Sequence, residues 1–196
     1  MKSGVTIERA RRPRADAVRN RERVLEAAKA VFSQGGAGAS LEAVARGAGV
    51  GIGTLYRHFP TREALYEAVY RREVEQLVEM AQALRAEPSP AEALRLWLRA
   101  SVTFVATKKG MLAALALVTQ KNPDLAAYSS DRFTRAVGEL LARAVAAGEI
   151  RDDIGPGEVL RALIGMCYAQ EGDDWQASVL RLLDVLVDGL RRRPAP

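Results

Sequence analysis

The sequence predicts an all-α protein made of a small N-terminal domain and a larger C-terminal domain. In successive segments the apolar residues recur at helical spacing, and no run alternates apolar and polar residues as a strand would. Most of the eight prolines stand at expected helix starts. The abundant Ala, Leu, Glu and Arg residues also have high helix propensity. These observations favour helices throughout the chain.

The N-terminal segment is expected to hold a flexible basic arm followed by a helix. Residues 1–15 lack apolar periodicity and are rich in arginine, which predicts the arm. The first helix is expected over residues 16–34, because Val24, Ala28 and Phe32 lie on one helical face. Two consecutive glycines then end this helix.

Residues 40–59 are the stretch around which the N-terminal domain is organised. Ser40 is a favourable N-cap for a short helix, and Gly49 stands where the turn after that helix requires a left-handed residue. Leu55 returns to the core, and Pro60 stops the second short helix. This spacing predicts a helix-turn-helix, a motif whose second helix enters the major groove of DNA.

The rest of the chain is expected to be helical and to form a second domain. We expect further helices at 61–84, 90–109, 111–120, 122–147, 158–170 and 174–190. A capping box from Ser89 to Glu92 marks the start of the second of these, and Gly148 supplies a C-terminal glycine for the fourth. The helix-turn-helix domain is expected to span 16–77, and the second domain 78–193.

Composition excludes several other classes of protein. The N-terminus lacks the apolar region of a signal peptide, and no stretch is apolar for the length of a membrane span. Cys167 is the single cysteine, which excludes an internal disulfide and a cysteine-based zinc site. One histidine and no paired acid motif leave little catalytic material. We expect a cytoplasmic protein with no metal, no cofactor, no membrane partner and no enzymatic activity.

Positive charge is concentrated in the segment that carries the helix-turn-helix. Residues 1–60 contain 11 Lys or Arg and 5 Asp or Glu, whereas residues 61–196 contain 18 and 19. The formal net charge of +5 therefore comes from the first part of the chain. A basic segment attracts phosphates, so this distribution favours nucleic-acid binding over a merely solvated basic face.

The run GVGIGTLYRHFPTREALYEAVY at 49–70 resembles the DNA-binding domain of the tetracycline-repressor (TetR) family of bacterial transcription regulators. Its specific parts are TLYRHF at 54–59 and TREAL at 61–65. The resemblance covers 19–77, and beyond it the chain shares only the general helical layout of the family's second domain. It implies a homodimer that binds double-stranded operator DNA and a small-molecule effector.

The motif and the resemblance together assign nine residues to DNA contact. They are Ser40, Arg46, Ile52, Gly53, Thr54, Tyr56, Arg57, His58 and Arg62. The end of the second helix that faces base edges in this motif carries Ile52 and Thr54, and Thr54 offers a hydroxyl and a methyl group. Gly51 and Gly53 supply no side chain for base reading, which shifts weight to the arginines and to DNA shape.

The roles of Tyr56, His58 and Arg62 rest on the resemblance. His58 and the N-terminal arm each have an alternative role. The resemblance implies that Tyr56 and His58 contact phosphates, and that Arg62 stands where the family usually has lysine. The alternative for His58 is a structural cap between two helices. The arm 1–15 either enters the minor groove or stays disordered.

The second domain is expected to hold an apolar ligand cavity and a dimer interface. The cavity is predicted from large residues on its helices: Trp97, Phe104, Met111, Tyr128, Phe133, Met166, Tyr168 and Trp175. Each of these residues has plain core packing as its alternative. The last two helices are apolar around more than one stripe, which predicts an interface that forms a four-helix bundle with a second copy. Its residues are Leu160, Leu163, Ile164, Cys167, Val179, Leu182, Leu183, Leu186 and Leu190.

We therefore interpret the chain as a sequence-specific DNA-binding transcriptional regulator. The mode of action that the resemblance implies is repression, in which each recognition helix occupies a major groove of a palindromic operator. A small apolar ligand would release the operator by favouring another conformation. The alternatives are a transcriptional activator and a non-specific architectural DNA-binding protein.

Overall fold

The computed structural model describes residues 6–35, 38–110, 124–169, 172 and 174–192. The described residues form eight α-helices, which confirms the predicted all-α class. They are α1 (Thr6–Gly35), α2 (Leu41–Ala48), α3 (Ile52–His58), α4 (Arg62–Ala83), α5 (Pro90–Gly110), α6 (Asp124–Ala146), α7 (Pro156–Ala169) and α8 (Trp175–Leu190). A 3-10 turn, Leu84–Ala86, follows α4. The helix predicted at 111–120 lies outside the described residues.

The chain divides into two compact units, and their boundary falls at Tyr70 and Arg71 rather than at the predicted residue 77. The described residues of the first unit run to Tyr70 and include Lys109 and Gly110. Those of the second unit are 71–108 and 124–192. Helix α4 contributes residues to both units, so its sequence periodicity continues through the boundary and cannot locate it.

Helix α1 corrects the prediction of a flexible arm. It begins at Thr6, ten residues before the predicted start, so the arm prediction is wrong for residues 6–15. Residues 1–5 lie outside the described part of the chain. Missing apolar periodicity predicts an arm, but Arg, Glu and Ala have high helix propensity and favour a helix even where the sequence has no apolar face. The absence of an apolar stripe therefore does not exclude a helix.

The core of the first unit forms where α1 meets the shorter helices and the start of α4. The side chains of Val24, Ala28 and Phe32 on α1 are buried, as their spacing predicts. The ring of Phe32 stacks on that of Tyr66 with centroids 4.0 Å apart. The hydroxyl oxygen of Thr61 accepts a hydrogen bond from the Ala64 N–H at 3.1 Å, which caps α4.

The turn between α2 and α3 has the left-handed glycine that the sequence predicts. Gly49 has φ 63° and ψ 39°, and its N–H donates to the Arg46 carbonyl at 3.0 Å. The guanidinium of Arg23 on α1 donates to the carbonyls of Ala48 and, at 3.2 Å, Gly49. These bonds satisfy carbonyls that a helix end leaves without partners. Arg23 therefore fixes the C-terminal end of α2 to α1.

We expect Gly49→Ala to lower the stability of the first unit by more than the strain of a left-handed alanine alone. That strain costs about 1–2 kcal/mol. A Cβ at this position would also lie 2.5 Å from an Arg23 guanidinium nitrogen, so the bracing hydrogen bonds would have to move. The control is Gly148→Ala, because Gly148 has φ 73° but open space around its Cβ position. Urea unfolding of both variants measures the difference, and equal losses would show that the Arg23 contact contributes nothing.

In the second unit, α5 packs through a buried indole and a cluster of charged side chains. The Trp97 indole N–H donates to the Leu77 carbonyl at 2.8 Å, and its side chain is fully buried. Arg95 on α5 donates to Asp184 on α8 at 3.1 Å and also binds Asp188. Burial by itself would raise the pKa of Asp184, but hydrogen bonds from Arg95 and Arg99 outweigh it and lower that pKa. The network joins α5 to α8.

The predicted capping box at the start of α5 forms only in part. The Ser89 hydroxyl oxygen accepts from the Glu92 N–H at 3.3 Å, as predicted, but the Glu92 carboxylate pairs with Arg95. The Ser89 N–H, which the Glu92 carboxylate would accept from in a full capping box, instead donates to the Glu87 carboxylate at 3.4 Å. The Glu149 carboxylate accepts from the Ala91 N–H and from the Ser89 hydroxyl, each at 2.9 Å. The Ala91 hydrogen bond, supported by that of Ser89, lowers the pKa of Glu149. A distant residue thus completes this cap.

Candidate functional site

The first candidate site is the outer face of α3, which the turn at Gly49 presents on the first unit. Leu55 and Phe59 are buried and hold α3 and the residue after it to the core. On the other side Ile52 is 39% exposed and Tyr56 is 45% exposed. Ile52 and Tyr56 are one helical turn apart, so they lie on one face. The helix therefore offers solvent an apolar and an aromatic side chain.

The glycines beside Ile52 are exposed and have open space around them. Gly51 precedes α3 with φ −69° and ψ 148°, and a Cβ built on Gly51 or Gly53 would meet nothing within 4 Å. Neither residue is among the described positions with positive φ. The fold of the protomer thus does not require glycine at either position.

The remaining residues predicted for DNA contact on α3 differ in exposure. Arg57 is exposed, and Thr54 and His58 are half-buried. His58 is the last residue of α3, and its ring centroid is 6.3 Å from that of Phe59. The half-buried position suits either of the two roles predicted for His58. Arg57 supplies an exposed positive charge on this helix.

The predicted residues outside α3 take part in local structure as well. The Ser40 oxygen accepts from the Ala43 N–H at 3.2 Å, and its hydroxyl donates to the Glu42 carboxylate at 2.6 Å. That hydrogen bond lowers the pKa of Glu42, and the charge of Arg62 lowers it further. Arg46 is exposed on α2. The hydroxyl of Ser40 is therefore engaged in capping.

Arg62 is less accessible than the sequence suggests. Its guanidinium lies over the ring of Tyr66, with its central carbon 5.8 Å from the centroid. Its Nε and Nη2 atoms are buried and have no hydrogen-bond partner among the described residues. A guanidinium held on an aromatic ring contributes to packing as well as to charge. A loss of function in an Arg62 variant would thus combine two effects.

Two basic residues of α1 that the sequence analysis missed lie beside the helix-turn-helix. Arg23 braces the turn, and the guanidinium of Arg21 lies over the ring of Phe59, 5.3 Å from its centroid. Both residues are exposed. Sequence reasoning assigned α1 a core stripe and overlooked that its other side brings positive charge close to α3. The surface around α3 is therefore more basic than α3 itself.

The second unit brings together three of the eight predicted cavity residues. The ring of Phe133 lies edge-on to those of Phe104 and Trp97, with centroids 5.0 Å and 6.1 Å away. Met166 and Trp175 are half-buried and Tyr168 is exposed, while Met111 lies outside the described residues. Such edge-to-face aromatic contacts also occur in plain cores. Trp97, Phe104 and Phe133, which we call the aromatic cluster, are therefore the predicted cavity residues whose rings lie together.

Tyr128 belongs to a different, charged cluster at the edge of a groove. Its hydroxyl donates to Glu75, and the guanidiniums of Arg71 and Arg132 lie 4.7 Å and 4.1 Å from its ring centroid. Arg132 also lines a groove of about 270 Å³ between α4 and α6. The groove is lined by Val78, Ala81, Gln82, Asp131, Arg132, Arg135, Ala136 and Glu139, none of which the sequence analysis singled out.

The predicted dimer interface needs correction. Five of its nine residues are buried within the protomer and have little surface left for a second copy: Leu163, Cys167, Val179, Leu183 and Leu190. Leu160 and Leu186 are half-buried, whereas Ile164 and Leu182 are exposed. Two residues join the exposed set, Tyr168 and Val185. We call Ile164, Tyr168, Leu182 and Val185 the outer apolar set.

Membrane-spanning helices and metal-binding clusters are both absent from the part of the chain that the structure describes. Over that part of the chain, no helix is both long and apolar enough to cross a bilayer. The same residues contain no group of three or more His, Cys, Asp or Glu side chains arranged to hold a metal ion.

Comparisons with known proteins agree with this arrangement in both units. Residues 24–69 match the family model described as bacterial regulatory proteins, tetR family. Residues 89–192 match the model described as transcriptional regulator SbtR-like, C-terminal domain. The crystal structure of the TetR transcriptional regulator SCO0520 from Streptomyces coelicolor is 45% identical, with a TM-score of 0.82, and the match covers 89% of this chain and 99% of that one.

Two curated proteins are also similar. The HTH-type transcriptional regulator UidR of Escherichia coli is 28% identical over 163 residues, which are 78% of this chain and 80% of that protein. The HTH-type transcriptional repressor KstR of Mycolicibacterium smegmatis is 34% identical over 137 residues, 69% of this chain and 57% of that protein. The similarities therefore extend past the helix-turn-helix into the second unit.

Proposed function

Because the chain belongs to the TetR family of bacterial transcriptional regulators, we propose that it is a homodimeric repressor of a palindromic operator, released by a small apolar ligand. The observation that carries the proposal is the helix-turn-helix of α2 and α3. Left-handed Gly49 forms its turn, and α3 exposes Ile52, Tyr56 and Arg57 to solvent. A helix exposed in this way can enter a major groove. The similarity to a protein named as a repressor supports the direction of control.

Electrostatics supports DNA as the partner of this surface. The exposed arginines near α3 come from three helices: Arg21 and Arg23 on α1, Arg46 on α2 and Arg57 on α3. Phosphate contacts set the position and orientation of a protein on the duplex, while side chains at base edges set its sequence preference. The arginines would contact phosphates, and the side chains on the outer face of α3 would contact base edges.

Selection from random DNA duplexes tests the proposal directly. A dimer with two recognition helices selects a palindrome whose half-site centres are about 34–36 Å apart. An architectural DNA-binding protein would enrich no sequence, and that outcome would overturn sequence-specific regulation. Transcription from a promoter that carries the selected palindrome then distinguishes repression from activation.

We expect Arg57→Ala to reduce the salt dependence of operator binding. If the Arg57 guanidinium neutralises one phosphate, the slope of log affinity against log salt should become shallower by about one unit per half-site. The control is Arg192→Ala, which removes the same charge from an exposed position of the second unit after the end of α8. Fluorescence anisotropy titrations at several salt concentrations give the slopes. Identical slopes for Arg57→Ala and wild type would show that Arg57 does not neutralise a phosphate.

The outer apolar set supports dimerisation through α7 and α8. Ile164 and Tyr168 are one turn apart on α7, and Leu182 and Val185 are neighbours on one face of α8. Large apolar side chains exposed together often mark an interface. Two copies of these helices would then form a four-helix bundle.

The aromatic cluster supports an apolar effector site in the second unit. Its three rings would surround an apolar ligand, while Lys108, one turn beyond Phe104, is half-buried and has a pKa that burial lowers. Because α4 contributes residues to both units, we propose that it transmits the effect of the ligand to α3. A ligand can do so only if it binds the two conformations with different affinity. Operator titrations with and without a bound ligand measure that coupling.

A further inference from the structure

We propose that Ile52 determines operator sequence by contacting the C5 methyl group of a thymine, and that Gly51 and Gly53 allow α3 to approach that base closely. The inference rests on the proposed operator binding and specifies one residue and one base for it. In this arrangement the two glycines do more than leave the start of α3 without base-reading side chains.

Ile52 is the exposed side chain at the start of α3. Its neighbours Gly51 and Gly53 carry no side chain, and Thr54 is half-buried. An isoleucine can neither donate nor accept a hydrogen bond, so it cannot recognise guanine or adenine through their hydrogen-bonding edges. Among the groups that base pairs present in the major groove, the thymine methyl is the apolar one. Ile52 is therefore suited to thymine.

The rest of the first unit holds Ile52 in place. Leu55, three residues further along α3, is fully buried, and Phe59 after the helix is buried against α1 beneath Arg21. Arg23 fixes the turn that precedes α3. Because α3 is anchored before and after Ile52, the isoleucine side chain is presented without a large loss of entropy on binding.

Gly51 is the N-cap of α3, a position that favours glycine, but Gly53 has no explanation within the protomer. Their backbone does not have a positive φ, and a Cβ at either position would have open space for 4 Å. Glycine also has a lower helix propensity than alanine, so Gly53 does not stabilise α3. A glycine also permits the close approach of another molecule to the backbone. With DNA as the partner of this face, that molecule is the base pair next to Ile52.

Replacement of thymine by deoxyuridine in the selected operator tests the contact with Ile52. The replacement removes only the methyl group, which is worth about fourfold in affinity per half-site if it is buried against isoleucine. In wild type we expect one thymine per half-site to show this loss. Replacing that thymine in both half-sites should lower operator affinity about fifteenfold. Ile52→Ala should bind the thymine and deoxyuridine operators with equal affinity at that position.

Two results would overturn the inference while leaving operator binding intact. One is a selected palindrome in which no deoxyuridine replacement weakens wild-type binding. The other is a loss that Ile52→Ala retains in full, which would assign the methyl contact to another residue. If no palindrome is selected at all, the proposed function has failed and not this inference alone.

Gly53→Ala tests the close approach. Because its Cβ meets nothing in the protomer, the melting temperature should be unchanged or higher, while affinity for the operator should fall at least tenfold. The control is Gly38→Ala, whose Cβ also meets nothing within 4 Å but which lies in the loop before α2. Wild-type operator affinity for a folded Gly53→Ala protein would overturn the close approach, as would an equal loss in Gly38→Ala.

Discussion

Leu183→Glu is expected to prevent the second unit from folding, whereas the neighbouring change Leu182→Glu should leave it folded. Leu183 is 0% exposed and Leu182 is 43% exposed. Loss of a buried leucine costs about 2–5 kcal/mol, and an unpaired carboxylate in an apolar site costs several more. Their sum is comparable to the total stability of a typical domain, about 5–15 kcal/mol. At Leu182 the carboxylate of a protomer would remain in water.

Tryptophan fluorescence measures this difference without interference from the first unit. Both tryptophans, Trp97 and Trp175, belong to the second unit. We expect Leu183→Glu to show the red-shifted emission of exposed indoles, and Leu182→Glu to keep the wild-type spectrum. A cooperative thermal transition near the wild-type midpoint in Leu183→Glu would contradict its burial in the core.

Leu182→Glu and Val185→Glu are expected to convert the proposed dimer to folded monomers and to weaken operator binding at least a hundredfold. Val185 is 69% exposed and is the most exposed large apolar side chain that α8 presents. A carboxylate at either position would be desolvated without a partner when two copies associate. A monomer engages one half-site and loses the contribution of the second recognition helix.

Gln176→Glu is the control for these two variants, because Gln176 is an exposed polar residue of α8. Sedimentation velocity should report dimers for wild type and Gln176→Glu, and monomers for Leu182→Glu and Val185→Glu. Operator titration of the same samples gives the loss of affinity. If Leu182→Glu and Val185→Glu both stay dimeric, the interface lies elsewhere on the second unit.

The sequence determined the features whose physical causes are local. Gly49 was predictable because a left-handed turn residue avoids steric cost only as glycine, and the structure gives it φ 63°. Ser40 was predictable as a cap because its hydroxyl oxygen needs to reach only the N–H of Ala43. The stripe of Val24, Ala28 and Phe32 was predictable because helical spacing defines one face.

The tertiary structure alone decided which apolar residues of α7 and α8 face outward. Both helices are apolar around more than one stripe, so periodicity could not separate buried Leu183 from exposed Leu182. Packing of α7 against α6 and α8 makes that choice.

Contacts between residues distant in sequence were likewise decided by tertiary structure. Glu149 caps α5 at Ser89, and Arg23 braces the turn at Gly49, across 60 and 26 residues respectively. Helical spacing and local capping patterns describe neighbours along the chain, whereas these bonds exist only because the fold brings their partners together.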